Sequence, residues 1–73
     1  MMTEQEAIDR AKKVALEQGW AWVEPALATL RRPWFGKGGK WEIFSNAQGL
    51  GAKARVVIDA QTGAVLEKGY IPR

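Results

Sequence analysis

The stretch "RRPWFGKGGKW", residues 31 to 41, concentrates the side chains that could bind a partner. It holds two arginines, two lysines, two tryptophans and a phenylalanine, together with three glycines and no acid. Such a stretch could dock on an acidic protein surface. It could also contact the phosphates of a nucleic acid while Trp34, Phe35 or Trp41 stacks on a base. It lacks the spacing of a phosphate-binding P-loop, and no helical pattern follows it. We therefore interpret it as a connection between two strands. It forms a lid on the core if Trp34 and Phe35 point inward, and a docking surface if they point outward.

This chain contains few of the side chains that commonly carry out catalysis. Cysteine and histidine are both absent, so the best nucleophile and the commonest general base are missing. Ser45 is the only serine, and the pattern shows no base for it. The eight carboxylates form no recognisable catalytic pair and no EF-hand spacing. We predict that the protein is not an enzyme and has no catalytic residue, no metal site and no cofactor.

The segment "GLGAKA", residues 49 to 54, matches the Gly-x-Gly-x-x-Ala form of the dinucleotide-binding fingerprint. That fingerprint needs a helix to begin there, so that the helix N-terminus can hold the pyrophosphate. The residues that follow, "RVVID", alternate as a strand. The segment is therefore interpreted as a turn between strands.

A helix is predicted for residues 3 to 19, "TEQEAIDRAKKVALEQG". Thr3 and Glu6 have the spacing of a capping box at its start, and Gly19 is suited to its end. Apolar residues recur at intervals of three and four, which predicts one buried face. They are Ala7, Ile8, Ala11, Val14 and Ala15, with Leu16 widening the face.

The rest of the chain favours antiparallel strands. "WAWVEPALATL" predicts an edge strand, or a strand broken near Pro25, with Trp20 and Trp22 on one side. "KWEIFSN", "AKARVVIDA" and "AVLEKGY" predict three more strands, the last two joined by the tight turn "DAQTG". We predict a single α+β domain over residues 1–73, in which one N-terminal helix packs on an antiparallel sheet of three to four strands, in two layers.

The order of these features resembles the PepSY domain, a small helix-plus-sheet module with a half-cystatin-like fold. The family pattern joins an alanine-rich helix ending in glycine to strands and an Asp-x-x-Thr-Gly turn. The matching residues are Ala7, Ala11, Gly19, Trp41, Val57, Asp59, Thr62, Gly63, Val65 and Leu66. PepSY domains often occur beside proteases, so the resemblance implies an inhibitory or regulatory protein-binding role.

A weaker resemblance is to short bacterial immunity proteins of the NTF2-fold type. They also combine a Trp-led strand, a glycine-rich connection and an Ile-Asp-x-x-Thr-Gly-x-Val turn. The matching residues are Trp41, Gly49, Gly51, Ile58, Asp59, Thr62, Gly63, Val65 and the segment Tyr70–Arg73. This resemblance implies a cytoplasmic immunity protein.

Charge is distributed unevenly along the chain. Residues 1 to 30 carry three bases and five acids, and residues 31 to 73 carry eight bases and three acids, so the two parts have net charges of −2 and +5. This asymmetry indicates an anionic partner surface. The start of the chain lacks a signal-peptide pattern, and no apolar run could span a membrane, so we expect a cytoplasmic protein without membrane contact.

One helix can cover only one face of the predicted sheet, and the other face is then open. We predict that a protein with an acidic patch docks on this open face and on the basic loop. Lys53 and a tryptophan pair are also expected on the face. A homodimer is another candidate, and a nucleic acid is the alternative partner. The predicted contact residues are Arg31, Arg32, Trp34, Phe35 and Lys37 in the loop, and Phe44, Arg55 and Val57 on the face.

Overall fold

The fold consists of one helix followed by four strands in a computed structural model that describes residues 2–32, 38–47, 49 and 51–71. The elements are α1 (Glu4–Glu17), β1 (Leu27–Arg31), β2 (Lys40–Phe44), β3 (Lys53–Asp59) and β4 (Val65–Ile71). Strand order in the sheet follows chain order, and every neighbouring pair is antiparallel. Helix α1 packs on one face of the sheet, so the predicted two-layer α+β arrangement is confirmed.

Both ends of α1 have the predicted chemistry. The Glu6 amide donates to Thr3 Oγ1 at 3.2 Å, and the Thr3 amide donates to Glu6 Oε1 at 2.8 Å, which completes the capping box. This backbone hydrogen bond from Thr3 holds the pKa of Glu6 below its ordinary value. At the other end Gly19 has φ +78°, and the Trp20 amide donates to Ala15 O at 2.8 Å. This is a Schellman motif, which favours glycine because of the positive φ.

The inner face of α1 is built from small side chains. Ala7, Ala11, Val14 and Ala15 are buried, and Ile8 packs against the core from its margin. Alanines let the helix lie close to the strands, where Trp41, Ile43, Val56 and Ile58 complete the core. Leu16 departs from the prediction, since 62% of its surface is exposed. It follows Ala15 by one residue, which turns it about 100° away from the buried stripe.

The segment between α1 and β1 is irregular, so the predicted strand at Trp20 and Trp22 is wrong. The Schellman motif fixes the Trp20 backbone, and its ring stacks on Tyr70 with centroids 5.9 Å apart. Trp22 packs against the core on the helix side of the sheet. The two tryptophans therefore do not lie on the open face as a pair. The strand begins only at Leu27, two residues after Pro25.

The turn between β3 and β4 is held by Asp59. Its carboxylate accepts hydrogen bonds from the amides of Gln61 at 2.8 Å and Thr62 at 3.0 Å. These two amides, Thr62 first, lower the pKa of Asp59. Gly63 adopts φ +77° and donates its amide to Asp59 O at 2.8 Å, so the predicted tight turn is confirmed.

Strand β2 leaves the sheet through an exchange of hydrogen bonds at Ser45. The Ser45 amide donates to Ala54 O at 3.0 Å, and the Ala54 amide donates to Ser45 Oγ at 2.8 Å. Ser45 Oγ thus accepts the hydrogen bond that a backbone carbonyl would accept in a regular antiparallel ladder. The next residue, Asn46, has φ +51° and donates its amide to Val23 O in the segment between α1 and β1.

Candidate protein-binding site on the open sheet face

The face of the sheet that lies opposite α1 is called here the open face. Alternation along each strand places its side chains, because residues two apart point to the same side. The core side chains Trp41, Ile43, Val56 and Ile58 define the helix side. The strand positions that alternate with these residues and with their register partners form the open face: Leu27, Thr29, Arg31, Lys40, Glu42, Phe44, Lys53, Arg55, Val57, Asp59, Glu67, Gly69 and Ile71.

Four of these side chains form a chain of ion pairs across the sheet. Arg31 Nη2 lies 3.2 Å from Glu42 Oε1, and Arg55 Nη2 lies 3.0 Å from Glu42 Oε2. Arg55 Nη1 extends the chain to Glu67 Oε1 at 3.5 Å. The register explains the contacts, because Glu42 is paired with Thr29 and Val57, and both arginines reach it diagonally from the adjacent positions.

Glu42 is the centre of this network. The hydrogen bond from Arg55, followed by that from Arg31, holds the pKa of the Glu42 carboxyl below its ordinary value. The same contact with Glu42 raises the pKa of Arg55. The carboxylate thus stays ionised and fixes two guanidinium groups at defined positions, so that part of the open face is ordered by its own charges.

Beside the network lies a shallow depression of about 580 Å³. Its lining combines the network with residues from both ends of the strands: Arg31, Arg32, Gly38, Gly39, Lys40, Glu42, Arg55, Val57, Asp59, Gln61, Leu66 and Glu67. Leu66 enters the lining because an irregularity in the β3–β4 register, next to Val57, adds a residue to β4.

Val57 has a different place from the one expected. It was predicted as an exposed contact residue, but only 3% of its surface is exposed. Its register partners Glu42 and Glu67 flank it on both neighbouring strands. Val57 therefore forms the floor of the depression, while the charged side chains around it form the rim.

The structure brings Arg31, Arg32 and Arg55 together with Val57 in the lining of this depression. Phe44 lies on the same face in register with Arg55, half-buried and outside the lining. The predicted loop residues Trp34, Phe35 and Lys37 lie outside the described residues.

Sequence reasoning did not select Lys40, Glu42 or Leu66 for the site. The alternation of "KWEIF" already places Lys40 and Glu42 on the same side as Phe44. What the pattern does not contain is the cross-strand register, which decides that Glu42 meets Arg31 and Arg55. The position of Leu66 depends on the register irregularity, for which no local signal exists.

Arg32 and Lys40 differ from the other cations of the rim. Among the residues that the structure describes, neither lies within ion-pairing distance of a carboxylate. Both are exposed at the end of the sheet where the basic loop begins. These two side chains can therefore form ion pairs with carboxylates of a partner protein without breaking the ion pairs of Glu42.

The two layers of the fold carry opposite net charge. Helix α1 holds three cations and four carboxylates, a net charge of −1. The open face with Arg32 holds five cations and three carboxylates, a net charge of +2. An acidic surface is therefore attracted to the open face in preference to the helix side.

Ser45 and Trp41 are described residues that the sequence offers for chemistry other than protein docking. Ser45 is 1% exposed and its Oγ is bonded to the Ala54 amide, so it does not face a cleft. Within residues 2–32, 38–47, 49 and 51–71, no three His, Cys, Asp or Glu side chains are grouped to hold a metal ion. Trp41, a candidate for stacking on a base, is 8% exposed and donates its Nε1 hydrogen to Met2 O at 3.0 Å, so its ring belongs to the core.

No family model, curated protein or solved structure matches this chain. The resemblances to PepSY domains and to NTF2-fold-type immunity proteins stay predictions. In the part of the chain that the structure describes, no helix combines the length and the apolar character needed to cross a membrane.

Proposed function

We propose that this protein is a non-catalytic binding module that docks the open face on an acidic surface of another protein. The observation that carries the proposal is the pair Arg32 and Lys40, which lie at the rim of the depression without a carboxylate partner among the described residues. Beside them, the network around Glu42 keeps two further guanidinium groups in place.

The face offers two kinds of contact to such a partner. Arg32 and Lys40 can receive carboxylates, each exposed ion pair contributing up to about 1 kcal/mol. Leu27, Phe44 and Leu66 add apolar surface around the charges, with Leu27 53% and Leu66 47% exposed. Protein interfaces commonly combine apolar contacts with hydrogen bonds and ion pairs.

A docked partner would have its own surface covered, which is the mechanism by which a small module inhibits or regulates a larger protein. The PepSY resemblance implies an inhibitory or regulatory role of this kind, and the immunity-protein resemblance implies a cytoplasmic one. We propose a cytoplasmic location, as the immunity-protein resemblance implies, and the chain has no cysteine that would need an oxidising compartment to form a disulfide.

The proposal is tested with a photo-crosslinking amino acid, benzoylphenylalanine, introduced separately at two positions. Phe44 is on the open face and is already aromatic, whereas Leu16 is exposed on the helix layer and serves as the matched control. We expect irradiation in living cells to yield a discrete crosslinked protein from position 44 and none from position 16. Equal capture of the same proteins at both positions would contradict the proposal.

Charge-reversal variants test whether Arg32 and Lys40 contribute to partner binding. Arg32→Glu with Lys40→Glu should abolish the crosslink at position 44, and Lys12→Glu with Lys13→Glu on the exposed side of α1 should preserve it. With the captured partner purified, the first pair should weaken binding by about 10-fold or more at low salt. An unchanged affinity would refute an electrostatic docking face.

The nucleic-acid alternative has its own measurement. We expect no mobility shift of single-stranded or duplex oligonucleotides at about 50 mM salt, where a phosphate-binding protein would bind strongly. A mobility shift that weakens steeply as salt is added would contradict the proposal and indicate that the partner is a nucleic acid.

A further inference from the structure

The hydrogen bonds of β3 show which backbone groups of the edge strand β4 point away from the sheet. In an antiparallel ladder, residues alternate between bonding to one neighbouring strand and to the other. The Asp59 amide bonds to Ala64 O across the β3–β4 turn, whereas Ala54 bonds to Ser45 on the β2 side. Arg55 and Val57, which alternate with Ala54, therefore bond toward β4.

This alternation fixes the direction of the β4 backbone groups. Gly69 is in register with Arg55 and directs its amide and carbonyl toward β3. Lys68 and Tyr70 are in register with Val56 and Ala54, which bond to β2. The amide and carbonyl groups of Lys68 and Tyr70 consequently point outward, to the free edge of the sheet.

The β4 edge carries more of the large exposed apolar side chains than the β1 edge, and the helix does not reach it. Helix α1 contacts β1, β2 and β3 but not β4. Three of the six large apolar side chains that are exposed in the described residues lie on β4, namely Leu66, Tyr70 and Ile71. Strand β4 has seven residues, and β1 on the opposite edge has five. Long apolar edges are the ones that pair with another strand.

Charge and geometry favour an axis at Gly69 over one at Lys68 when β4 pairs with a second copy of itself. A twofold axis at Lys68 would place two ammonium groups opposite each other, which is repulsive. An axis at Gly69 instead places Lys68 opposite Tyr70 of the second copy, in a position to lie on its aromatic ring. It also joins the outward groups of Lys68 and Tyr70 in reciprocal hydrogen bonds.

Gly69 suits the centre of this arrangement. Its backbone groups are already used by β3, so two copies of Gly69 would face each other as a pair without mutual hydrogen bonds, the closer of the two pair types. A side chain added at Gly69 would meet nothing within 4 Å. The close approach therefore has room on the open face.

We propose that two copies of this chain associate through antiparallel pairing of their β4 strands, with Gly69 on the twofold axis, to form one continuous eight-stranded sheet. The pairing leaves the open face of each copy free, so it is independent of the docking proposed above. In the dimer the Trp20–Tyr70 stack of one copy lies beside Lys68 of the other.

The absence of cysteine from the chain makes a direct test available. Gly69→Cys should form an intermolecular disulfide rapidly under mild oxidation, because the closer antiparallel pairs bring Cα atoms to about 4.5 Å, within disulfide range. Thr29→Cys is the matched control: it also lies on the open face, on the other edge strand, with its register partner Glu42 on the inner side. We expect at least about 10-fold slower crosslinking there, since two copies are not held together at that edge.

The unmodified chain provides the second measurement. Light scattering should give twice the 8.1 kDa chain mass at high concentration, and Lys68→Pro should return it to the monomer mass. The proline removes an outward amide that β3 does not use, so the fold should survive; Ala28→Pro on β1 is the corresponding control. A wild-type monomer up to about 1 mM, or equal crosslinking of both cysteine variants, would overturn the proposal.

Discussion

Replacing Ser45 by alanine removes one oxygen atom from the most buried polar position among the described residues. Ser45 is 1% exposed, and Ala54, whose amide donates to Ser45 Oγ at 2.8 Å, is completely buried. The variant keeps the Ser45 backbone bond to Ala54 O and loses only the acceptor. The Ala54 amide is then left without a partner, where water has no access.

The expected cost follows from this burial. An unsatisfied buried amide destabilises a protein by about 1–3 kcal/mol, whereas an exposed amide would exchange its partner for water at little cost. For a domain of this length the melting temperature should fall by roughly 6–20 °C. The comparison variant is Thr62→Ala, whose hydroxyl accepts from the Ala64 amide at 3.2 Å on the surface and whose loss should cost under about 1 kcal/mol.

The assay is urea unfolding monitored by tryptophan fluorescence. The dependence of the unfolding free energy on urea concentration must be the same for both variants, so that only their stability is compared. If Ser45→Ala is no less stable than Thr62→Ala, the hydroxyl is not a substitute for the missing carbonyl of β2. The account of how β2 leaves the sheet would then be refuted.

Two further outcomes follow from the open face and from the turn after β2. Because Arg55 and Arg31 lower the pKa of Glu42 in the folded state, the stability from this carboxylate is present above its unfolded pKa and is lost as the pH falls through the lower, folded pKa. Urea midpoints between about pH 5 and pH 2 should therefore fall less for Glu42→Gln than for the wild type, and parallel curves would contradict this. Gly49→Ala should destabilise the fold by about 1 kcal/mol, because its Cβ would clash with Asn46 Oδ1 and push aside the side chain whose Nδ2 donates to Ala52 O. Thermal melting checks this, and an unchanged melting temperature would show that Asn46 moves aside without losing that hydrogen bond.

The parts of the fold that the sequence predicts correctly are those determined by neighbouring residues. The capping box at Thr3 and Glu6 and the turn at Asp59 are formed within a few residues of chain. Their hydrogen bonds depend on local geometry alone. The alternation of the strands likewise follows from the pleat, and it fixes which side chains share a face.

The failures concern contacts between distant parts of the chain. Trp20 has a strong strand preference, but the glycine before it and the bond to Ala15 O keep it in the helix end. Val57 has the alternation of an exposed residue, and neighbours on two other strands bury it. In the site, Arg31 and Arg55 are predicted from charge, but their shared carboxylate, Glu42, depends on a register that no local pattern contains.

The order of the strands, which follows the order of the chain, has a consequence for folding kinetics. Each strand pairs with its sequence neighbours, so the sheet forms through closure of short loops at low entropic cost. The helix must instead reach β3 from the start of the chain, and Met2 bonds to Ala60 O at 2.8 Å across 58 residues. We therefore expect the sheet to assemble first and the helix to dock late. Substitutions at Ala7 or Ala11 would then accelerate unfolding while leaving the folding rate nearly unchanged.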